Sequence, residues 1–243
     1  MEWTDDAIVL DTRRHGETSV IATLLSRDHG RYSGLVRGGA GKSKRGILQP
    51  GNQVRAQWRA RLAEHLGSFT CELSTAHAGY AMATPLLLSA LSAACSVAAT
   101  TLPERESHPA IYDGLSVFLT ALQGDDWPSV YVKWELGVLG ELGFGLDLSE
   151  CAVTASRHDL KYVSPKSGRA VSTTAAGPYK ERLLALPAFV LDSSGGSRAE
   201  VLDGLRLTGF FLNRHVYGET GQTQPDARAR FVQSLRNQSE RDG

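Results

Sequence analysis

The sequence predicts an α+β fold, strands first and helices after, and three observations predict it. The first eighty residues carry five short apolar or alternating runs separated by glycine-bearing turns. The pattern changes at Thr84-Pro85, and from there apolar residues recur at helical spacing behind proline-marked starts.

Each strand has its own signal. Ala7-Ile8-Val9-Leu10 is a short apolar run, and Ser19 to Leu25 is a second one rich in β-branched residues. His29-Gly30 marks a turn before Arg31-Tyr32-Ser33-Gly34-Leu35-Val36. Val54, Ala56, Trp58 and Ala60 alternate with Gln53, Arg55, Gln57 and Arg59, the period of a strand with one face in a core and the other in water. Leu66 to Leu73 supplies the fifth run. Five short strands with turns of this kind suit a small closed barrel, and the OB-fold is the commonest five-stranded one. Residues 1–80 are therefore expected to form a five-stranded OB-fold β-barrel.

The helices follow as a second domain over 81–243. Thr84 as N-cap and Pro85 at the first helical position open a helix through Ala99. His108-Pro109 and Trp127-Pro128 open two more, the latter with Val130, Trp134 and Val138 on one stripe and a stop near Gly143. Positions 145–178 are polar and rich in Ser, Thr and Gly, which reads as a long loop or a small irregular module. Helical periodicity returns from Ala199 to Tyr217, and Ala227 to Leu235 reads as a short final helix. There is no internal repeat, and the only low-complexity tract runs from Ser193 to Ser197.

Bulk composition removes several function classes. The chain has 243 residues with 26 Lys and Arg against 26 Asp and Glu, enough length for a real core and no overall charge to announce a polyanionic partner. Cys71, Cys95 and Cys151 are odd in number and far apart, so no disulfide framework fits and a reducing compartment is expected. The acidic start, Met1-Glu2-Trp3-Thr4-Asp5-Asp6, lacks the layout of a signal peptide, and the apolar stretch Leu86 to Ala99 is too short and serine-rich to span a bilayer. A soluble cytoplasmic protein is the expectation.

The distribution of charge is more informative than its sum. Arg27, Arg31, Arg37, Lys42, Lys44, Arg45, Arg55, Arg59 and Arg61 face the single acid Asp28 between positions 27 and 61, so the rest of the chain is net acidic. A basic block within a predicted barrel is the electrostatic footprint of nucleic-acid binding. Tyr32 and Trp58 interleave with it and Phe69 follows, rings on which bases could stack at roughly 1–3 kcal/mol each. The plainer reading has Arg55, Arg59 and Arg61 solvating an outer face with Trp58 in the core, and both readings stay open. In Arg37-Gly38-Gly39-Ala40-Gly41-Lys42-Ser43-Lys44-Arg45 the functional reading is favoured, because four cations and three glycines in one flexible loop have no evident packing purpose and glycines let backbone approach phosphate.

Catalytic and metal constellations fare less well. Gly41-Lys42-Ser43 matches the end of a nucleotide-binding P-loop, but Val36 stands where the first glycine belongs, and Gly46 and Pro50 are expected to disrupt the helix that must follow. Cys151 has Thr154 where a paired cysteine would fall, and His158 alone does not complete a zinc site. The histidines are scattered, and Glu64-His65 lacks the second histidine of a zincin helix. No enzymatic activity, cofactor or metal is expected.

Taken in order, several segments resemble the RecO family of recombination mediators: Ala7-Ile8-Val9-Leu10, Gly16-Glu17-Thr18, His29-Gly30-Arg31, Val36-Arg37-Gly38-Gly39 and Leu48-Gln49-Pro50-Gly51. Further on come Glu141-Leu142-Gly143-Phe144-Gly145 before Asp147-Leu148, Val163-Ser164-Pro165-Lys166-Ser167-Gly168, Leu212-Asn213-Arg214-His215 and Ala227-Arg228-Ala229-Arg230. The resemblance implies that 146–178 is a zinc-finger-like module inserted in the helical domain. Many members carry two cysteine pairs there, whereas this chain keeps Cys151 and has Thr154, Ser172 and Ala175 near the other places, so zinc is not carried over. It also implies single- and double-stranded DNA as ligands, annealing of complementary strands, contact with the acidic C-terminal tail of single-strand-binding protein (SSB), and joint action with RecR to help RecA onto DNA, in the cytoplasm at the nucleoid. Annealing needs phosphate repulsion neutralised on two strands while the bases stay free. Arg31, Arg37, Lys42, Lys44 and Arg45 are the first candidates for phosphate contact, and Arg13, Arg14, Arg55 and Arg59 the second. An OB-fold RNA-binding or translation-associated module is the alternative, and a P-loop NTPase the third.

Overall fold

The computed structural model describes residues 1–192 and 194–242, the last four by backbone alone, so that Ser193, at the head of the serine-glycine tract, lies outside the described residues. The chain divides into two compact units, Met1–Leu122 with Pro225–Phe231, and Gln123–Gln224 with Val232–Gly243.

The first unit is built on the five expected strands, β1 (Glu2–His15), β2 (Ser19–Ser26), β3 (Gly30–Val36), β4 (Gln53–Arg59) and β5 (Ser68–Thr75). They hydrogen-bond in the order β1-β2-β3-β5-β4 and close into a barrel. Closure depends on the length of β1, fourteen residues rather than the four of its apolar run. Its first half pairs with β4 from Glu2↔Arg59 to Ile8↔Gln53, and its second half pairs with β2 as far as His15↔Ser19. A register shift between Val9 and Asp11 bends it from one partner to the other. The barrel is filled by inward residues that include Val9, Ala22, Leu24, Val36, Val54, Trp58 and Phe69.

Asp5 explains how an acidic segment can begin a barrel. It is buried, and its carboxylate accepts hydrogen bonds from Ser26 Oγ, from Asp28 N at 2.8 Å and from Asp6 N at 2.8 Å. Burial pushes its pKa up, but these donors outweigh burial and hold it below the ordinary value. The carboxylate thus pins the β2–β3 turn against β1.

Helices α1 (Lys42–Ile47), α2 (His77–Ala81), α3 (Pro85–Thr101) and α4 (Pro109–Ala121) complete this unit, the first two of them not expected from the sequence. Thr84 caps α3 as expected, its hydroxyl accepting from Leu87 N at 3.2 Å. α3 lies on β1 and β2. Ile8, Leu10, Ile21 and Leu25, outward on those strands, are accordingly buried, which is why both strands read as continuous apolar runs while β4 alternates.

In the second unit, α5 (Trp127–Leu139) runs into a π-helical turn, Gly140–Phe144, kinked at Gly143 with φ +86°. The polar stretch expected to be irregular contains β6 (Leu160–Val163) and β7 (Ala170–Ser172), joined by β8 (Leu184–Ala185) in a sheet of order β7-β6-β8. Strands this short carry too few alternations to stand out from their Ser- and Gly-rich flanks. Helix α6 (Thr173–Ala176) follows β7, and α7 (Arg198–Phe211) opens on a capping box between Ser197 and Glu200. The core of this unit gathers Leu139, Cys151, Val163, Leu207, Phe211 and Tyr217. The last helix, α8, spans Asp226–Asp242, longer than its apolar pattern. Among the described residues no helix is long and apolar enough to cross a membrane.

Candidate nucleic-acid interface

The register of the barrel brings two basic segments to one end. Arg14 pairs with Val20, and Val20 with Val36, so Arg14 and Arg37 stand about two strand spacings apart, on the order of 10 Å. The connection after β3 folds back onto the β1–β2 turn through Ala40 N, which donates to Thr18 O at 3.0 Å. Segments 12–18 and 37–47 together hold Arg13, Arg14, Arg37, Lys42, Lys44 and Arg45 against one acid, Glu17.

That connection is not the flexible loop expected from its glycines. Lys42 to Ile47 form α1, Lys44 Nζ donates to Arg37 O at 2.8 Å, and Asn52 Nδ2 closes the helix by donating to Gly46 O at 2.9 Å. Gly39 does have a packing purpose, because a Cβ there would stand 2.5 Å from Val20 Cγ2. The helix also forms through Gly46, contrary to the expected disruption, and stops before Pro50. At six residues it remains a short segment behind a motif whose first glycine is Val36. Between α1 and the end of β1 lies an open cleft of about 460 Å³, lined among others by Thr12, Arg14, Val20, Gly39, Arg45 and Gln49. Thr12 carries no charge and belongs to no motif, and Gln49 stands only in the resemblance segment Leu48-Gln49-Pro50-Gly51 with no role attached, so the fold alone places them here.

The cations divide sharply by their surroundings. Arg27 makes a bidentate pair with Asp113 at 2.9 Å, which raises its pKa. Arg31 donates to Leu102 O at 2.8 Å and pairs with Glu104 at 3.3 Å. Arg55 pairs with Asp6 at 3.0 Å, and Arg59 with Glu2 at 2.8 Å. Among the described residues no carboxylate lies within 4.0 Å of Arg13, Arg14, Arg37, Lys42, Lys44 or Arg45. Of the nine candidates, six are therefore electrostatically open, and three, including the first-choice Arg31, already hold internal partners.

The interleaved aromatics do not form a stacking platform. Trp58 is 1% exposed and Phe69 4%, both inside the barrel, and Trp58 Nε1 donates to Leu66 O at 3.1 Å. Tyr32 is half-buried, edge-on to Trp3 and Trp58. Of the two readings left open for Trp58, the core reading holds.

Around Cys151 the chain brings together the positions where the family resemblance implied metal ligands. Ser172 N lies 3.3 Å and Ser172 Oγ 3.5 Å from Cys151 Sγ, and Ala175 N donates to Ser172 Oγ at 3.4 Å. Burial pushes the thiol up, but hydrogen bonds from Thr154, Ser172 and Val153 bring it to about 6. One sulfur, two hydroxyls and a methyl group do not fit a zinc ion, and among the described residues no group of three or more His, Cys, Asp and Glu could hold a metal.

Comparison with known proteins matches both parts of this architecture. The family model described as "Recombination protein O N terminal" covers residues 1–76, and that described as "Recombination protein O C terminal" covers 82–224. The chain is 51% identical to "DNA repair protein RecO" of Rhodospirillum centenum over 97% of its own length and 95% of the relative's. It is 49% identical to the protein of that name in Rhodospirillum rubrum over 100% and 99% of the two chains. The protein of that name in Mesorhizobium japonicum is also 49% identical, over 97% and 94%. With both family models matched in order and near-complete coverage at about half identity, the chain belongs to the RecO family of DNA repair proteins.

Proposed function

We propose that the chain is a non-enzymatic recombination mediator that binds single- and double-stranded DNA, anneals complementary strands and, with RecR and SSB, helps load RecA in the nucleoid-containing cytoplasm. The observation that carries this reading is the cationic end of the barrel, where six side chains on segments 12–18 and 37–47 have, among the described residues, no carboxylate partner and two of them, Arg14 and Arg45, line one cleft. Such an end screens phosphates on two strands while leaving their bases unengaged, which is the physical requirement of annealing.

Residues 1–80 are read as an OB-fold DNA-binding domain, supported by the strand order β1-β2-β3-β5-β4 and the parallel contact of β3 with β5. Residues 81–243 are read as the helical domain. Its inserted segment 146–178 is a zinc-finger-like module held by hydrogen bonds around Cys151 in place of metal. For the SSB tail, short, acidic and apolar at its end, the second unit offers an open groove of about 390 Å³ lined by Lys133, Leu136, Leu146, Leu148 and Val190.

The deciding experiment is annealing of complementary SSB-coated strands by the full chain without nucleotide. Duplex should form at a rate that falls when Arg14 and Arg45 are both changed to Gln. Preference for structured RNA over single-stranded DNA would favour the RNA-binding alternative, and a requirement for ATP hydrolysis would overturn the non-enzymatic reading.

A further inference from the structure

The segment Leu102–Glu106, between α3 and α4, does more than connect them. β3 and β5 share one parallel pair, Leu35↔Ser68, so the edge of β3 around Arg31 has no strand beside it. The segment fills that edge. Glu104 forms a parallel bridge with Arg31, and Arg105 N donates to Arg31 O at 2.9 Å. Gly30, at φ +75°, permits the approach, since a Cβ there would meet Glu106 O at 1.8 Å.

Arg105 ties this segment to the β4–β5 loop. Its backbone sits in the left-handed region at φ +63°. Its guanidinium donates to the carbonyls of Ala63, Glu64 (3.2 Å) and His65 (3.0 Å), and lies 5.2 Å from the centre of the Tyr32 ring. Residues in sparsely populated backbone regions persist only where their surroundings over-determine them, and they gather at clamps and switches. The same segment takes Arg31 out of solvent, to 20% side-chain exposure. In OB-fold barrels a nucleic-acid strand runs over β2 and β3 and between the β1–β2 and β4–β5 loops. Here Leu102–Glu106 occupies β3 and grips the β4–β5 loop.

We propose that Leu102–Glu106 is a latch, keyed by Arg105, that masks a single-strand-binding surface on β3. A strand is then admitted only at the cationic end, and Arg31 joins the site when the latch opens. This rests on the reading of the barrel as a DNA-binding domain, and the test separates the two. Binding of fluorescent oligo-dT to the full chain is measured across a salt series.

In the latched protein Arg45→Gln should lower the salt slope by about 0.7, one phosphate's worth, whereas Arg31→Gln should leave slope and affinity unchanged. Glu104→Gln with Arg105→Gly keeps the net charge and, at a left-handed position, the backbone. It should raise the slope by about 0.7 and tighten binding about fivefold at 0.1 M salt. Adding Arg31→Gln to that variant should remove the gain. If Arg45→Gln has no effect, the DNA-binding reading falls and the latch with it. If Arg45→Gln weakens binding and Arg31→Gln does so equally, the latch alone is refuted, a result that stands even where the double variant fails to fold. A folded double variant with an unchanged slope refutes it too.

Discussion

Replacing Lys42, Lys44 and Arg45 together with Ala tests the cationic end most directly, because the structure separates its electrostatic effect from its structural one. α1 buries none of its six residues, and the only side-chain hydrogen bond lost among the described residues is that from Lys44 Nζ to Arg37 O. Arg45 contributes its carbonyl to Gln49 Nε2, which Ala retains. Alanine is at least as good a helix former as Lys or Arg, so stability should change by less than about 0.5 kcal/mol and the melting temperature by less than about 2 °C.

Binding should change far more. If each of the six open cations meets one phosphate of a single strand, the log–log salt slope of the unaltered protein is about 4, and the variant's about 2. At 0.1 M salt that loss corresponds to about a hundredfold in affinity. Anisotropy of labelled oligo-dT between about 50 and 200 mM salt reads both quantities. A variant that melts normally but keeps the original slope refutes the assignment of α1 to the site, because no indirect effect restores three lost counterion-release steps.

Two further predictions concern the scaffold. Asp5→Asn keeps the shape but turns an amide NH₂ toward donors that need an acceptor, and should cost about 2 kcal/mol or more, read by urea unfolding. Because the folded-state pKa of Asp5 is depressed, its contribution is present above the unfolded value of about 3.9 and is lost as pH falls through the lower folded value, so the difference between the two proteins should shrink in that acid range; a difference constant with pH would contradict the network. The protein should purify without stoichiometric zinc and melt identically with and without chelator, while Cys151→Ala should destabilise by about 1–3 kcal/mol through loss of the buried sulfur's hydrogen bonds and volume. A chelator-dependent melt would show that the module recruits a metal after all.

Most of the fold was legible because its signals are local. Alternation in Gln53 to Arg59, the β-branched run from Ser19 and the Thr84-Pro85 cap each depend on a few neighbouring residues, and each marks the element observed. What escaped was set by distant contact. Glu2 to Asp6 look like a charged terminus, yet they form the start of β1 because Asp5 finds its donors on the β2–β3 turn. β6 and β7 are individually too short to read and exist as a sheet. The candidate site divides the same way. The presence of a basic block is a property of sequence, whereas the availability of each cation depends on acids up to eighty-six positions away, as with Arg27 and Asp113.

Those internal partners do not all remove their arginines from a polyanion's reach. Arg59 and Arg55 have side chains 74% and 50% exposed, each against a single carboxylate. Exposed pairs of this kind are worth about 0–1 kcal/mol and are screened by salt, so a phosphate can replace the carboxylate at little cost. Arg31 differs in kind. It is 20% exposed, and it holds a backbone carbonyl as well as Glu104. Withdrawing it strips Leu102 O, an acceptor with no other donor among the described residues, and buried unmade hydrogen bonds are what proteins avoid most consistently. The three paired arginines therefore form a graded series. Arg55 and Arg59 are open to exchange on the outer face of β4, and Arg31 is committed to the latch. On the proposed reading, the extent of the DNA-binding surface on this neutral chain is set by how firmly its own acids and carbonyls hold each cation, and not by how many cations its sequence contains.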